Sequence, residues 1–449
     1  MHSLRISLLL SGFVLMGLAC NASIAQQPVP SSATERVRCN FSATPTPPAI
    51  SSPRVAEARE RNVMVQLFDC RFKEIEAEIP NLVRMGYSHI HVSPPQKSNP
   101  ADEWWGRYQP IDHTKIEGPL GTEAEFRSMN AAADRAGIDI VVDVVLNHMA
   151  SYDKIVNLQF PRFSRADFHP QACISYGNRE SETRGWIGSD CGLPDLDTSS
   201  PYVRQEAKNY LKMLLSYSVD GFRFDAIKHM EPEYFDDVVA AVPKEVFSVG
   251  EYISSSPTDL APYLRNMDAF DFPLLSTMKG AFAFGGDLRS LVTPAASRQA
   301  LPGPSAVTFV KNHDTANAQF GGFDMSGVDE LLAYTYILGR EEGFPYVFLD
   351  KYKHPLVLAG AKFHNLALGK PVLWTIAEAN VLAWQRGRDS WVIINKAGEQ
   401  LVRENLQTSL EDGDYVDLLS RRTLKVSQGR LPRVELGGSS AAFFVKAVP

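Results

Sequence analysis

Apolar runs long enough to cross a bilayer are missing from this sequence. The longest stands at the very start, Leu8 to Leu18, and is too short to span. Cysteine is scarce, at five residues, and no Cys-x-x-Cys pair or Cys/His spacing suited to zinc occurs. There is no excess of positive charge: 45 Lys and Arg stand against 52 Asp and Glu, a formal net charge of −7, which argues against nucleic acid or an anionic membrane as partner. No internal repeat is visible, and no low-complexity tract apart from one linker. What is present is 449 residues with 44% hydrophobic content, enough for a large core and more than one domain.

Arg5, the apolar run and the small residues up to Ser23-Ile24-Ala25 have the layout of an export signal over residues 1–25, cleaved after Ala25. Cleavage before a lipid-modified Cys20 is the alternative, which Gly17 fits less well. Export leaves a soluble, secreted chain with Cys39, Cys70, Cys173 and Cys191 in an oxidising compartment. Four cysteines allow three pairings. Cys173 with Cys191 closes a short polar loop, and Cys39 with Cys70 then follows by elimination. Residues 26–55 are rich in Pro, Ser, Thr and Ala and read as a linker or surface strap.

Beyond the linker, apolar strand-like runs alternate with helical patterns. Strands are expected at Val63–Phe68, Tyr87–Val92, Ile138–Leu146, Gly221–Asp225, Val246–Val249, Ala269–Leu275, Val307–Val310 and Phe344–Leu349. Helices are expected around Ile75 to Met85, with Pro80 inside, over Thr122–Ala136 behind a capping box, and after Ser200-Pro201. About eight strands, most followed by a helix, predict an α/β fold, a (β/α)8 barrel formed by residues 56–148 and 200–371. Residues 149–199 form an excursion after the third strand. From residue 372 to 449 short alternating runs predict an antiparallel β-sandwich domain.

The stretch GFRFDAIKH, Gly221 to His229, carries the strongest chemical signal. A period of two puts Phe222 and Phe224 on one face and Arg223 and Asp225 on the other, and charges are costly to bury unless paired or used. An Arg beside a carboxylate is expected to keep it ionised. Barrel active sites lie at the C-terminal ends of the strands. There the sequence places Asp143, Asn147 and His148 after strand three, Asp225 with Lys228 and His229 after strand four, Glu251 after strand five, and His313 and Asp314 after strand seven. Three acids, Asp225, Glu251 and Asp314, converging on one rim suggest glycosidic bond cleavage, with one carboxylate attacking the sugar and a second donating a proton.

These segments carry a family resemblance. DVVLNH, GFRFDAIKH, VGEY and FVKNHD resemble, in order, the four hallmark segments of the α-amylase family of glycoside hydrolases. LPDLD, Leu193 to Asp197, is similar to its fifth. WWGRYQP, Trp104 to Pro110, and HVSPPQ, His91 to Gln96, resemble the animal and actinobacterial types in particular. The resemblance implies a double displacement through a covalent glycosyl–enzyme, with Asp225 as nucleophile, Glu251 as acid/base and Asp314 as third carboxylate. It implies sugar contacts from His148, His313, Arg223, Trp104, Trp105, Tyr108 and Gln109, and from Lys228 and His229 on the leaving-group side. Asn147, Asp195 and the carbonyl of His229 match ligands of a structural Ca²⁺. Chloride-activated members use an Arg where this chain has Tyr346, so no chloride requirement is expected. The partner implied is an α-glucan, cleaved internally by a monomer, and the nearest alternative is a relative forming maltooligosaccharides of set length. A non-catalytic glucan-binding protein would be expected to lack one of the three acids. A metal-dependent hydrolase using His148, His229 and the aspartates as ligands is disfavoured, because no His-x-His or His-Glu-x-x-His arrangement is expected among them.

Overall fold

The computed structural model describes Cys39, Phe41 and residues 62–151, 158–188, 191–316 and 323–447. The expected export signal, Cys20 and nearly all of the linker lie outside the described residues.

Eight parallel strands close into a barrel: β1 (Met64–Leu67), β2 (His89–Val92), β3 (Asp139–Val144), β4 (Gly221–Phe224), β5 (Phe247–Gly250), β6 (Asp268–Phe270), β7 (Ala306–Phe309) and β8 (Phe344–Phe348), each paired to the next and β8 to β1. The helices outside are α1 (Phe72–Met85), α2 (Glu123–Ala136), α3 (Pro201–Leu215), α4 (Pro232–Val238), α5 (Phe272–Phe282), α6 (Gly327–Gly339) and α7 (Pro355–Ala367). After β5 only a single helical turn, Pro257–Leu260, follows. Pro80 is accommodated on the exposed side of α1, whose Ile75, Ile79 and Leu82 are buried. Thr122 caps α2, accepting the Glu125 amide while the Glu125 carboxylate accepts the Thr122 amide at 2.8 Å.

The alternation in β4 holds. Phe222 and Phe224 are fully buried against the helices, where each ring contributes about 1.5–3 kcal/mol. Arg223 is equally buried but faces the barrel interior, which places a charge where only paired charges survive. The sixth strand is shorter than the sequence suggests. It stops at Phe270 because Asp271 accepts the Leu274 amide at 2.9 Å and starts α5 at Phe272-Pro273, so Leu274 and Leu275 belong to a helix.

Two excursions leave the C-terminal rim. The segment after β2 forms a small antiparallel sheet from Gln96–Ser98, Pro110–Gly118 and Gly121–Thr122, with a 3₁₀ turn at Trp104–Tyr108. The segment after β3 has its own apolar cluster, including Met149, Phe160, Phe163, Phe168 and Leu196. Disulfides join Cys173 to Cys191 and Cys39 to Cys70, as the sequence suggests. Among the described residues no helix is long and apolar enough to cross a membrane.

The C-terminal part is all antiparallel β. Strands β9 (Val372–Ala377), β10 (Val381–Arg386), β11 (Ser390–Asn395), β12 (Leu401–Gln407), β13 (Gly413–Asp417), β14 (Thr423–Val426), β15 (Arg430–Leu436) and β16 (Ser440–Lys446) form a six-stranded sheet in the order β9-β10-β11-β16-β13-β14 and a β12-β15 ribbon. Leu382, Trp384, Val392 and Ile394 face the barrel core. Ala383, Trp391 and Ile393, one residue out of phase, face the ribbon's Leu401, Leu431 and Val434. Trp384 and Arg386 fasten this sheet to the end of α6, both donating to the Gly339 carbonyl.

Candidate active site

The rim residues converge on one guanidinium. Arg223 Nη1 donates to Asp143 Oδ1 and to Asp225 Oδ1, each at 2.7 Å, and Nη2 contacts Glu251 Oε1. The three acids arrive at the ends of β3, β4 and β5, and none is more than 8% exposed. Just after Asp225 the chain turns through Ala226, a non-glycine residue at φ 50°, strain of the kind stored at functional turns. Asp314 arrives after β7 in the short helix His313–Ala316, opened by Asn312, whose side-chain carbonyl accepts the Thr315 amide at 2.9 Å.

One cation beside four buried acids spreads their proton affinities. Burial works against ionisation of Asp143, but the Arg223 charge, with His91 behind it, holds that carboxyl well below the usual range. Burial pushes Asp225 up to about 7, with Arg223 opposing and the charges of Glu251 and Asp143 adding to the rise. Arg223 favours ionised Asp225, in the direction expected, but its guanidinium is shared among three acids and burial opposes it. Burial, then the charge of Glu251, drives Asp314 well above the ordinary range.

An aromatic wall stands beside the acids. Phe68 and Tyr108 stack on the His313 imidazole, with centroids at 4.4 and 5.2 Å, and Trp104 meets it edge-on at 5.8 Å. Gln66 on β1 fixes His313 from below, Nε2 to Nδ1 at 2.9 Å. Tyr108 donates its hydroxyl to Asp143 Oδ2 at 2.7 Å. Trp105 is 37% exposed, and Gln109 accepts from the Asn99 amide at 2.9 Å. His148 bonds the Tyr108 carbonyl through Nε2 at 2.9 Å, leaving a buried Nδ1 without a protein partner. Burial lowers both His148 and His229 to about 4, so both imidazoles are neutral.

Lys228 and His229 tie β4 to the second excursion. Lys228 Nζ lies 3.2 Å from Glu182 and 5.2 Å above the Tyr176 ring, and His229 Nδ1 bonds the Glu182 carbonyl at 2.8 Å. Nearby, Asn147 and Asp195 are buried side by side. Asn147 Oδ1 and Nδ2 and Asp195 Oδ1 have no hydrogen-bond partner in the protein. Burial raises Asp195 to about 7, opposed by His169 at 2.7 Å. Orphaned amide and carboxylate oxygens of this kind fit a hard cation such as Ca²⁺. Among the described residues no group of three or more His, Cys, Asp or Glu side chains is arranged for a metal.

Some of these residues were not singled out from the sequence. Asp143 is placed at the rim by the sequence but given no role there, and Gln66, Phe68 and His91 are given none either. The expectation that no His-x-His arrangement is present needs correcting: His89-Ile90-His91 on β2 has that spacing, but each imidazole is bonded within the barrel, His89 to Ser88 at 2.8 Å and His91 to Tyr346 at 2.9 Å.

A model of the α-amylase catalytic domain matches residues 72–318, more than half of the chain, and one of the α-amylase C-terminal all-beta domain matches residues 374–440. The chain belongs to the α-amylase family. It is a glycoside hydrolase, an α-amylase by its family. An α-amylase of Aeromonas hydrophila is 32% identical over 405 residues, covering 78% of this chain and 87% of that one. An α-amylase of Streptomyces violaceus is 29% identical over 86% of this chain and 74% of its own, and that of the insect Tenebrio molitor 26% identical over 81% and 90%. Among solved structures, wild-type α-amylase I of Eisenia fetida superimposes with a TM-score of 0.80 at 22% identity, covering 86% of this chain and 97% of that one. A mutant of the same Eisenia enzyme, in complex with maltohexaose, gives 0.78 at 21% identity, covering 88% and 99%.

Proposed function

We propose that the protein is an exported, Ca²⁺-binding α-amylase that cleaves internal α-1,4-glucosidic bonds of starch, glycogen and maltooligosaccharides with retention of configuration. The observation that carries this reading is Arg223, which holds Asp225 through Nη1 and Glu251 through Nη2. Retaining enzymes keep their two carboxyl groups about 5–5.5 Å apart and inverting ones about 6.5–9.5 Å, with a water between. Two carboxylates on one guanidinium favour the shorter spacing.

Asp225 attacks the anomeric carbon, and Glu251 protonates the departing glycosidic oxygen. Glu251 then draws the proton from the water that releases the sugar. Asp314, protonated, donates a hydrogen bond to a sugar hydroxyl and favours the distorted ring. Trp104, Trp105, Tyr108, Gln109, His148 and His313 line the sugar on the non-reducing side, and Lys228 and His229 receive the leaving portion. Asn147, Asp195 and the His229 carbonyl would hold Ca²⁺, which when bound cross-links the barrel to the second excursion. Tyr346 stands where chloride-activated relatives carry Arg, which supports activity without chloride. The two disulfides favour an oxidising, extracytoplasmic location.

The test is product analysis on soluble starch, wild type against Asp225→Asn. Rapid loss of iodine staining with short α-anomeric products is expected of the wild type, and a rate unchanged in the variant would remove Asp225 as nucleophile.

A further inference from the structure

Asp143 holds Arg223, and something must hold Asp143. Its Oδ1 accepts from Arg223 at 2.7 Å, and its Oδ2 accepts from Tyr108 at 2.7 Å and faces His91 Nε2 at 3.5 Å. His91 is 1% exposed, and its other nitrogen, Nδ1, lies 2.9 Å from the Tyr346 hydroxyl. Donor and acceptor bookkeeping fixes the direction of this chain. The 3.5 Å approach of Nε2 to the ionised Asp143 is a charge–dipole contact rather than a hydrogen bond, and it is attractive only with the proton on Nε2. Nδ1 is then an acceptor, and the Tyr346 hydroxyl must donate to it. Burial lowers the proton affinity of the imidazole and favours the neutral form, which has a single N–H.

Tyr346 is itself rigidly held. Its ring meets Phe270 edge-on at 5.1 Å and Phe309 at 6.4 Å, a layer of aromatic side chains beneath the charged one. The hydroxyl is thereby aimed from β8 across β1 to His91 on β2. The charged and titratable groups facing the pair are Asp143 from β3, Arg223 from β4, Glu251 after β5, His313 after β7 and Tyr334 from α6.

We propose that Tyr346 and His91 are positioning residues of the catalytic centre: the hydroxyl holds the His91 ring with Nε2 turned to Asp143, which in turn sets Arg223 between Asp225 and Glu251. The inference rests on the reading of Asp225 and Glu251 as the reacting pair. Losing the hydroxyl leaves the buried Nδ1 of His91 without its partner and frees the ring to turn, taking Nε2 away from the Asp143 carboxylate. Asp143 then rotates, Arg223 loses its anchor, and Asp225 loses part of the charge that opposes its protonation.

The test compares Tyr346→Phe, His91→Leu and His91→Gln with wild type on maltoheptaose. Tyr346→Phe keeps the ring packing and is expected to melt close to wild type. Its kcat should fall about tenfold to a hundredfold, the scale of a small misplacement of reacting groups, with KM within about twofold. The acid limb of its pH profile should move to higher pH, because Asp225 is less well opposed. His91→Leu should behave likewise, and His91→Gln, which can accept from Tyr346 and donate to Asp143, should recover most of the rate. A Tyr346→Phe enzyme with unchanged kcat and pH profile, or a Gln variant as impaired as Leu, would overturn the proposal while leaving the wild-type activity and its assignment intact. ¹⁵N shifts of His91 test the same claim without turnover: a neutral Nε2–H imidazole is expected in the wild type, and an Nδ1–H form or an imidazolium would refute it.

Discussion

The Phe68 ring lies flat on the His313 imidazole, centroids 4.4 Å apart and planes inclined by 15°. Burial leaves that imidazole with a proton affinity well below the ordinary range, so it is neutral and one ring nitrogen, Nδ1, is taken by Gln66. Phe68→Leu keeps apolar volume but removes the stacked face. It is expected to lower kcat/KM on maltooligosaccharides by about tenfold, as small misplacements of contact residues do. Steady-state kinetics with a melting curve on the same sample separates this from loss of fold.

Arg223 cannot be replaced by another cation. Lys presents a point charge and cannot bridge Asp143, Asp225 and Glu251 through two separate nitrogens. Arg223→Lys is expected to cut kcat by at least about a hundredfold, and Arg223→Met also to destabilise by about 3–5 kcal/mol, because buried acids lose their partner. Urea unfolding measures the second effect, and a Met variant as stable as wild type would show that Asp143 is neutral.

The Asp225 carboxyl gives a pH-dependent signature in stability. Its affinity for the proton is raised on folding, from 3.8 to about 7. A raised group contributes stability that is fully present below the unfolded pKa and is lost as pH rises through the folded one. Asp225→Asn removes that dependence. The variant is expected to be inactive but to melt a few degrees above wild type at pH 8, with the difference vanishing near pH 4. Calorimetry across this range checks it, and a difference that grows toward acid would reverse the sign.

Calcium removal should act on the junction of barrel and second excursion. Chelation is expected to lower the melting temperature of the wild type and to have little effect on an Asn147→Ala/Asp195→Asn variant. Equal sensitivity in both would place the ion elsewhere.

Much of this site was legible because its signals are local. In Gly221 to Asp225 the period of two already separates Phe222 and Phe224 from Arg223. The acids of the rim follow apolar strands directly, so the strand pattern also locates them. What could not be read depends on partners far apart in the chain. Nothing adjacent to His91 or Tyr346 indicates that they meet, 255 residues apart, inside a barrel. The length of the sixth strand was misread because the Asp271 cap outweighs the apolar run that follows it. Strands β12 and β15 form a ribbon with one face in water, and their Arg and Glu residues hide the alternation.

The most direct measurement is to trap the intermediate. Glu251→Gln, incubated with an α-maltosyl fluoride, needs no acid to expel fluoride but lacks the base that activates the releasing water. Peptide mass spectrometry is expected to find one glycosyl unit attached to the peptide containing Asp225. A label on any other residue, or free sugar of inverted configuration with no labelled peptide, would contradict the assignment.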